Sequence, residues 1–209
     1  MPCFLQYHNA DKLGWVPLDA QPFSQTQLAI YTRRPLVQRA VGGTVLVVVS
    51  LGRPKRYYLW ERFDVAEVRR EGKEFCAWGA GWQLAPPQRL DGDDFRAFHK
   101  ACAYFVGFRA IDGLPYTATL LDLARRFRGQ PVSDEVDRFC SDLIEALPAS
   151  GDARFARGWV RQRLGRHAEA LVDLDVAARL GAEYAAEVEA CRRLALEALS
   201  AAGPASTIH

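Results

Sequence analysis

The apolar residues of this chain change their spacing part-way along. Up to about residue 90 they alternate in twos or stand in short β-branched runs. From Asp91 they recur every three to four positions. Side chains alternate between the two faces of a strand and return every 3.6 residues around a helix, so such a change separates a β-rich part from a helical one. The fold class expected is α+β. The charge follows the same division. Residues 1–130 carry 18 lysines and arginines against 12 acids, and residues 131–209 carry 9 against 13. Four of five tryptophans and six of seven tyrosines also precede residue 131. A basic, aromatic-rich part followed by an acidic, alanine-rich one predicts two domains, 1–130 and 131–209, with different jobs.

In the first part, Cys3–Tyr7 reads as a short strand and residues 8–14 as a turn. Residues 28–33 form a strand or a short helix. Gly42 and Gly43 open TVLVVVSL, too short for a helix and too β-branched for a loop, hence a buried strand. After the turn GRPK, residues 57–70 read as one long strand with a bulge near Glu61. Residues 75–87 are extended and broken by Gly79 and Gly81. Phe95, Phe98, Cys102 and Phe105 then recur at helical spacing behind Asp91, Asp93 and Asp94, acids that suit a helix start better than a metal. A further helix spans 117–128.

The second part opens with Ser133 as a helix N-cap. Pro148 and Gly151 end that helix, residues 152–165 and 167–181 form a helical hairpin turning at Gly165, and one more helix follows. The tail PASTIH is expected to fray.

Several classes are excluded. With 49% hydrophobic and 25% charged residues, 209 residues can bury a core, and wholesale disorder does not fit. No run approaches the roughly 18 apolar residues of a membrane span. The amino terminus lacks a secretory pattern, and five cysteines without CxxC spacing argue against a zinc site or a disulfide framework, so a cytoplasmic protein with buried free thiols is expected. There is no P-loop, dinucleotide fingerprint or GxSxG elbow. The chain reads as a non-enzyme, with no cofactor and no metal.

Residues 155–180 resemble a tetratricopeptide repeat through Gly158, Trp159, Leu164, Gly165, His167, Ala168, Ala170, Leu171, Leu174 and Ala177. The resemblance implies helices that cross closely at small residues and a partner-binding region over residues 133–200. An alanine-rich hairpin that only packs against the first domain would show the same spacing.

The opening CFLQYHNADKLG, the glycine-led strand GGTVLVVVS and the long strand RYYLWERFDVAEV together resemble the PUA-like superfamily, including its EVE and YTH readers of modified bases. FLQYHN, KLGW and YYLW also resemble the amino-terminal domain of bacterial restriction-type proteins that carry an HNH nuclease. The HNH segment itself has no counterpart among His8, His99, His167 and His209. The resemblance implies a small PUA/EVE-like β-barrel with flanking helices, followed by an all-α domain. It implies a sensor that binds DNA or RNA carrying a modified, flipped base, in bacterial defence. A reader of a flipped base needs aromatic walls and fixed hydrogen-bond groups. Trp15, Trp60, Trp78 and Trp82 are candidate walls, Trp60 the one most suited to the core. Gln6, Tyr7, His8 and Asn9 are candidates for the base edge. Gly79 and Gly81 would let a ligand approach the backbone, or else mark a bulge. Arg33, Arg34, Arg53, Lys55 and Arg56 would hold phosphates, or else form a solvated surface. The rival reading is a protein-interaction adaptor whose barrel is closed by its own side chains. Self-association through the repeat is compatible with either.

Overall fold

The computed structural model describes residues 1–18, 20–105 and 107–201. The tail PASTIH lies outside them. The chain is mixed α+β: a curled, half-barrel sheet and a set of helices. It divides into two compact units. The first comprises Met1–Leu13 and Phe23–Pro131; the second comprises Gly14–Pro22 and the chain from Val132 onward. The segment Gly14–Pro22, early in the sequence, thus belongs to the helical unit. There Tyr184 Oη donates to the Leu18 carbonyl at 2.9 Å.

The sheet of the first unit contains β1 (Cys3–Asn9), β2 (Gln25–Thr32), β3 (Thr44–Leu51), β4 (Arg56–Asp64), β5 (Glu67–Glu71), β6 (Glu74–Leu90) and β7 (Phe108–Ala110). Its order is β2-β6-β4-β3-β1-β7, with β5 beside β6. The edge strands β2 and β7 share no pairing among the described residues, so the sheet curls without closing. β3 is buried along its whole length, as its unbroken valine run requires. It pairs in parallel with β1 and antiparallel with β4. Short helix α1 (Ala10–Leu13) follows β1, where the sequence suggests only a turn. Helices α2 (Gly92–Ala101) and α3 (Thr117–Arg126) bring Phe95, Phe98, Leu120 and Ala124 onto a core with Leu5, Leu46, Leu59 and Leu84. Of residues 28–33, which read as a strand or a short helix, Leu28–Thr32 belong to β2 and Arg33 lies just past its end.

Three expectations need correction. The single strand over 57–70 is two strands. The chain turns at Val65–Ala66, where Val65 N donates to the Gly43 carbonyl and Ala66 N to that of Trp78, each at 2.9 Å. Gly79 and Gly81 do not break the next strand, because β6 runs unbroken for 17 residues. The helix expected over 92–108 ends at Ala101, and Ala103, Tyr104 and Phe105 take positive φ values of 45°, 57° and 55°. That reversal turns Phe105 into the core and leaves Tyr104 exposed. β7, which follows, has no counterpart in the sequence reading.

The second unit contains α4 (Asp134–Ala146), α5 (Gly151–Arg163), α6 (His167–Leu180) and α7 (Ala185–Ala201). Gly151 starts α5 rather than breaking the chain. Ser150 caps that helix by accepting from Ala153 N at 3.1 Å, whereas Ser133 stands at the α4 N-cap without a side-chain cap bond. The α5–α6 crossing is close. A Cβ on Gly158 would lie 2.7 Å from Leu174 Cγ, so a larger residue there would push the buried Leu174 side chain aside. Gly165 turns the hairpin at φ +76°.

Candidate nucleic-acid interface

The four β1 candidates divide between the two faces of the sheet, because successive strand residues must. Tyr7 joins the helix-covered side: its Oη lies 2.7 Å from Ser50 Oγ, and its ring 5.6 Å from that of Phe105. Gln6 and His8 take the other side. There the register aligns Gln6, Val47, Glu61 and Gln83 in one row across β1, β3, β4 and β6. Glu61 and Gln83 are buried. Gln83 Nε2 donates to Glu61 Oε1, and Gln83 Oε1 accepts from Phe23 N, each at 2.8 Å. Gln6 Nε2 donates to the Tyr7 carbonyl at 3.3 Å, while Gln6 Oε1 is buried with no partner. Asn9 Oδ1 accepts from Lys12 N at 3.1 Å and shapes the start of α1. No single rim gathers all four.

The tryptophans are not paired walls. Trp60 is fully buried at the bulge between Leu59 and Glu61. Trp15 falls in the Gly14–Pro22 segment of the other unit. Trp78 and Trp82 are four residues apart on one strand, so they stand side by side on one face rather than facing each other. The space beside the two glycines is also taken. A Cβ on Gly79 would lie 1.7 Å from the Asp64 carbonyl oxygen, and one on Gly81 would lie 2.3 Å from that of Arg62. These glycines admit the backbone of β4, where the reading allowed a ligand.

The basic candidates are spread out. Arg53 and Lys55 are exposed on the β3–β4 turn, and Arg56 is half-buried at the start of β4. Arg33 pairs with Glu74 at 3.0 Å. Lys55 acts on His99, whose ring lies among Tyr57, Phe105 and Tyr104. Burial, with a contribution from the Lys55 charge, holds the His99 pKa below its ordinary 6.5, although a hydrogen bond with the Tyr104 backbone opposes this.

The structure does form a cleft around Trp82. It measures about 450 Å³ and is lined by Gln27, Arg62, Asp64, Gly81, Trp82 and Arg128, with Ala80 in its floor. That volume lies in the range of small-ligand sites. Trp82 is 5% exposed, and its Nε1 donates to the Ala124 carbonyl at 2.9 Å, which fixes the indole. Two guanidinium groups pack against its ring, Arg62 at 4.8 Å and Arg128 at 5.0 Å from the centroid. They differ in pairing. Arg62 forks onto both Asp64 oxygens at 2.6 Å, and Thr44 Oγ1 donates to Asp64 Oδ1 at 2.8 Å. Arg128 is exposed and makes no ion pair among the described residues. The cleft therefore holds a guanidinium without an ion pair among the described residues, beside an indole. It also offers the Gln27 amide and the Asp64 carboxylate for hydrogen bonds.

Of these lining groups, only Trp82 and Gly81 stand out in the sequence. Gln27, Arg62, Asp64 and Arg128 come from distant segments. The one local signal is the two-residue spacing of Trp78, Ala80 and Trp82. Among the described residues no group of three or more His, Cys, Asp or Glu could hold a metal ion, and no helix is long and apolar enough to cross a membrane. No family model, no curated protein and no solved structure matches the chain.

Proposed function

We propose that this chain is a non-enzymatic nucleic-acid-binding sensor whose sheet unit holds one unstacked base in the Trp82 cleft. The observation that carries the reading is Arg128, an exposed guanidinium with no ion pair among the described residues, 5.0 Å from the ring centroid of a fixed indole in the lining of the cleft. Bases stack on guanidinium planes as they do on aromatic rings. A base seated there would find the Gln27 amide, both donor and acceptor, and the Asp64 carboxylate, which accepts from an exocyclic amine. Its phosphate would meet the positive charge that Arg128 leaves uncompensated. The PUA/EVE-like resemblance of residues 1–130 supports a modified base as the target, in DNA or RNA, and a role in bacterial defence.

The test is binding of the full chain to oligonucleotides with and without modified cytosine or adenine, at two salt concentrations. Preference for the modified strand is expected, and Arg128→Ala should weaken binding about tenfold, the low end of one stacking contact. Equal binding to both strands would remove the modification, and no binding would remove the sensor.

A second reading, a protein-interaction adaptor, is favoured by the apolar side chains that the helical unit leaves exposed. Val172 is 64% exposed, Leu194 48% and Leu196 52%. In that reading the tetratricopeptide-like hairpin binds a partner or a second copy through residues 133–200. Light scattering after gel filtration tests the second copy directly: a monomer at high concentration excludes it, and a dimer that Leu196→Glu dissociates supports it.

A further inference from the structure

The cleft is one end of a longer surface. Along β6 the residues Cys76, Trp78, Ala80 and Trp82 share a face, and the register sets Tyr31, Ala29 and Gln27 of β2 beside the first three. The opposite face is core: Leu28, Ile30, Ala77 and Phe75 are buried. On the near face Tyr31 is 57% exposed and Trp78 half-buried, while Cys76 and Trp82 are buried. The face is floored by Ala29 and Ala80, both exposed and too small to cover the sheet. Aromatic rings recur along it. Tyr31 stands at one end, Trp78 follows with the Arg69 guanidinium 4.7 Å from its ring centroid, and Trp82 follows with Arg128.

We infer that this face is a track for single-stranded nucleic acid, with Tyr31, Trp78 and the Trp82 cleft as successive stacking positions. The inference rests on the base-holding reading of the cleft and extends it from one nucleotide to a strand. Six residues of antiparallel strand separate Cys76, the register partner of Tyr31, from Trp82, about 20 Å, and a stacked strand at about 3.4 Å per nucleotide covers that in about six steps. The chemistry selects the occupant. The surface offers flat π-faces and guanidinium planes with a small-residue floor, and its exposed positions on β2 and β6 hold no branched aliphatic side chain that a protein partner would bury. A duplex hides the base faces that such rings need. The charge is modest. Arg62 is paired with Asp64, and Arg69 is paired with Glu67 at 2.5 Å, so Arg128 alone is left over on the track. Binding should therefore rest on stacking more than on counterion release, with a log–log salt slope near −1 and not the steep slope of a basic groove.

The experiment titrates the full chain with thymidine monophosphate and with oligothymidylates of two, four and eight residues, following tryptophan fluorescence. A duplex of eight base pairs serves as comparison. Affinity is expected to rise with length to about seven nucleotides, so the octamer binds more tightly than the tetramer, with the duplex far weaker. Tyr31→Ala and Arg69→Ala, both at exposed positions, should each weaken the octamer about tenfold and leave the mononucleotide unchanged. Trp78→Ala should do the same, with circular dichroism as the check on its fold. Mononucleotide binding that gains nothing with length would overturn the track and leave the one-base cleft standing. Absence of binding by monomer and oligomers alike would overturn both.

Discussion

The buried arginine cluster of the helical unit and the arginines beside tryptophan in the sheet unit differ in what they leave for a ligand. In the helical unit Arg154, Arg157 and Arg161 are gathered around one buried carboxylate. Asp173 is fully buried and accepts from Arg157 at 2.6 and 2.8 Å and from Arg161 at 2.9 Å, with Arg154 at 3.5 Å. Asp137 accepts from Arg161 and Arg166 at 2.9 and 3.0 Å. The network ties α4, α5 and α6 together and leaves those charges unavailable to a ligand. In the sheet unit Arg62, Arg69 and Arg128 each lie within 5.0 Å of a tryptophan ring centroid, and of these Arg128 lacks a carboxylate partner among the described residues. The difference teaches that net charge is a poor guide to where a protein meets an anion. What counts is which cations the fold leaves uncompensated, and that is decided by neighbours distant in sequence.

The largest loss of stability is expected at Asp173. Asp173→Ala would leave three guanidinium groups around a buried gap, at a cost of about 3–5 kcal/mol by the usual penalty for an uncompensated buried charge. Urea denaturation of the full chain checks this; a loss below about 1 kcal/mol would mean the network is solvated. In the sheet unit, removing Arg128 should leave stability within about 0.5 kcal/mol of the parent, because the group is exposed.

The largest effect in the sheet unit is expected at Gly79. Gly79→Ala forces a Cβ into the Asp64 carbonyl, so β4 must shift, at about 1–3 kcal/mol or more by the usual cost of overpacking. An unchanged denaturation midpoint would refute that packing.

A smaller effect separates two serines of the helical unit. Ser150→Ala removes a cap bond and should cost about 1 kcal/mol, whereas Ser133→Ala, without one, should cost at most a few tenths. Equal losses would show that the cap bond carries no stability.

The smallest effect is a pH dependence. His99 has a lowered pKa in the folded chain, so the unfolded chain binds the proton first as pH falls through about 6.5, and stability falls with it. The decline from this group ends once the folded form also protonates. Denaturation at pH 8 and pH 5.5 should show a smaller difference in His99→Phe than in the parent; identical differences would remove the effect.

The sequence by itself determined much of the element list, for a local reason. A valine run fits a pleated, buried strand, an apolar stripe fits a helix, and the small residues from Gly158 to Ala177 fit a close helical hairpin. Those preferences are written in neighbouring residues. Only the tertiary structure decided what each special residue does. Gly79 and Gly81 read as a break or a ligand gap until β4 is laid across them. Trp78 and Trp82 read as facing walls until their shared strand face sets them side by side. Gln6, Tyr7, His8 and Asn9 read as one rim until the pleat divides them. Arg62 and Arg128 carry no sequence signal, because their meaning comes from one indole and one carboxylate brought near by pairing and packing. Side-chain environment is set by long-range register, and no local pattern contains it.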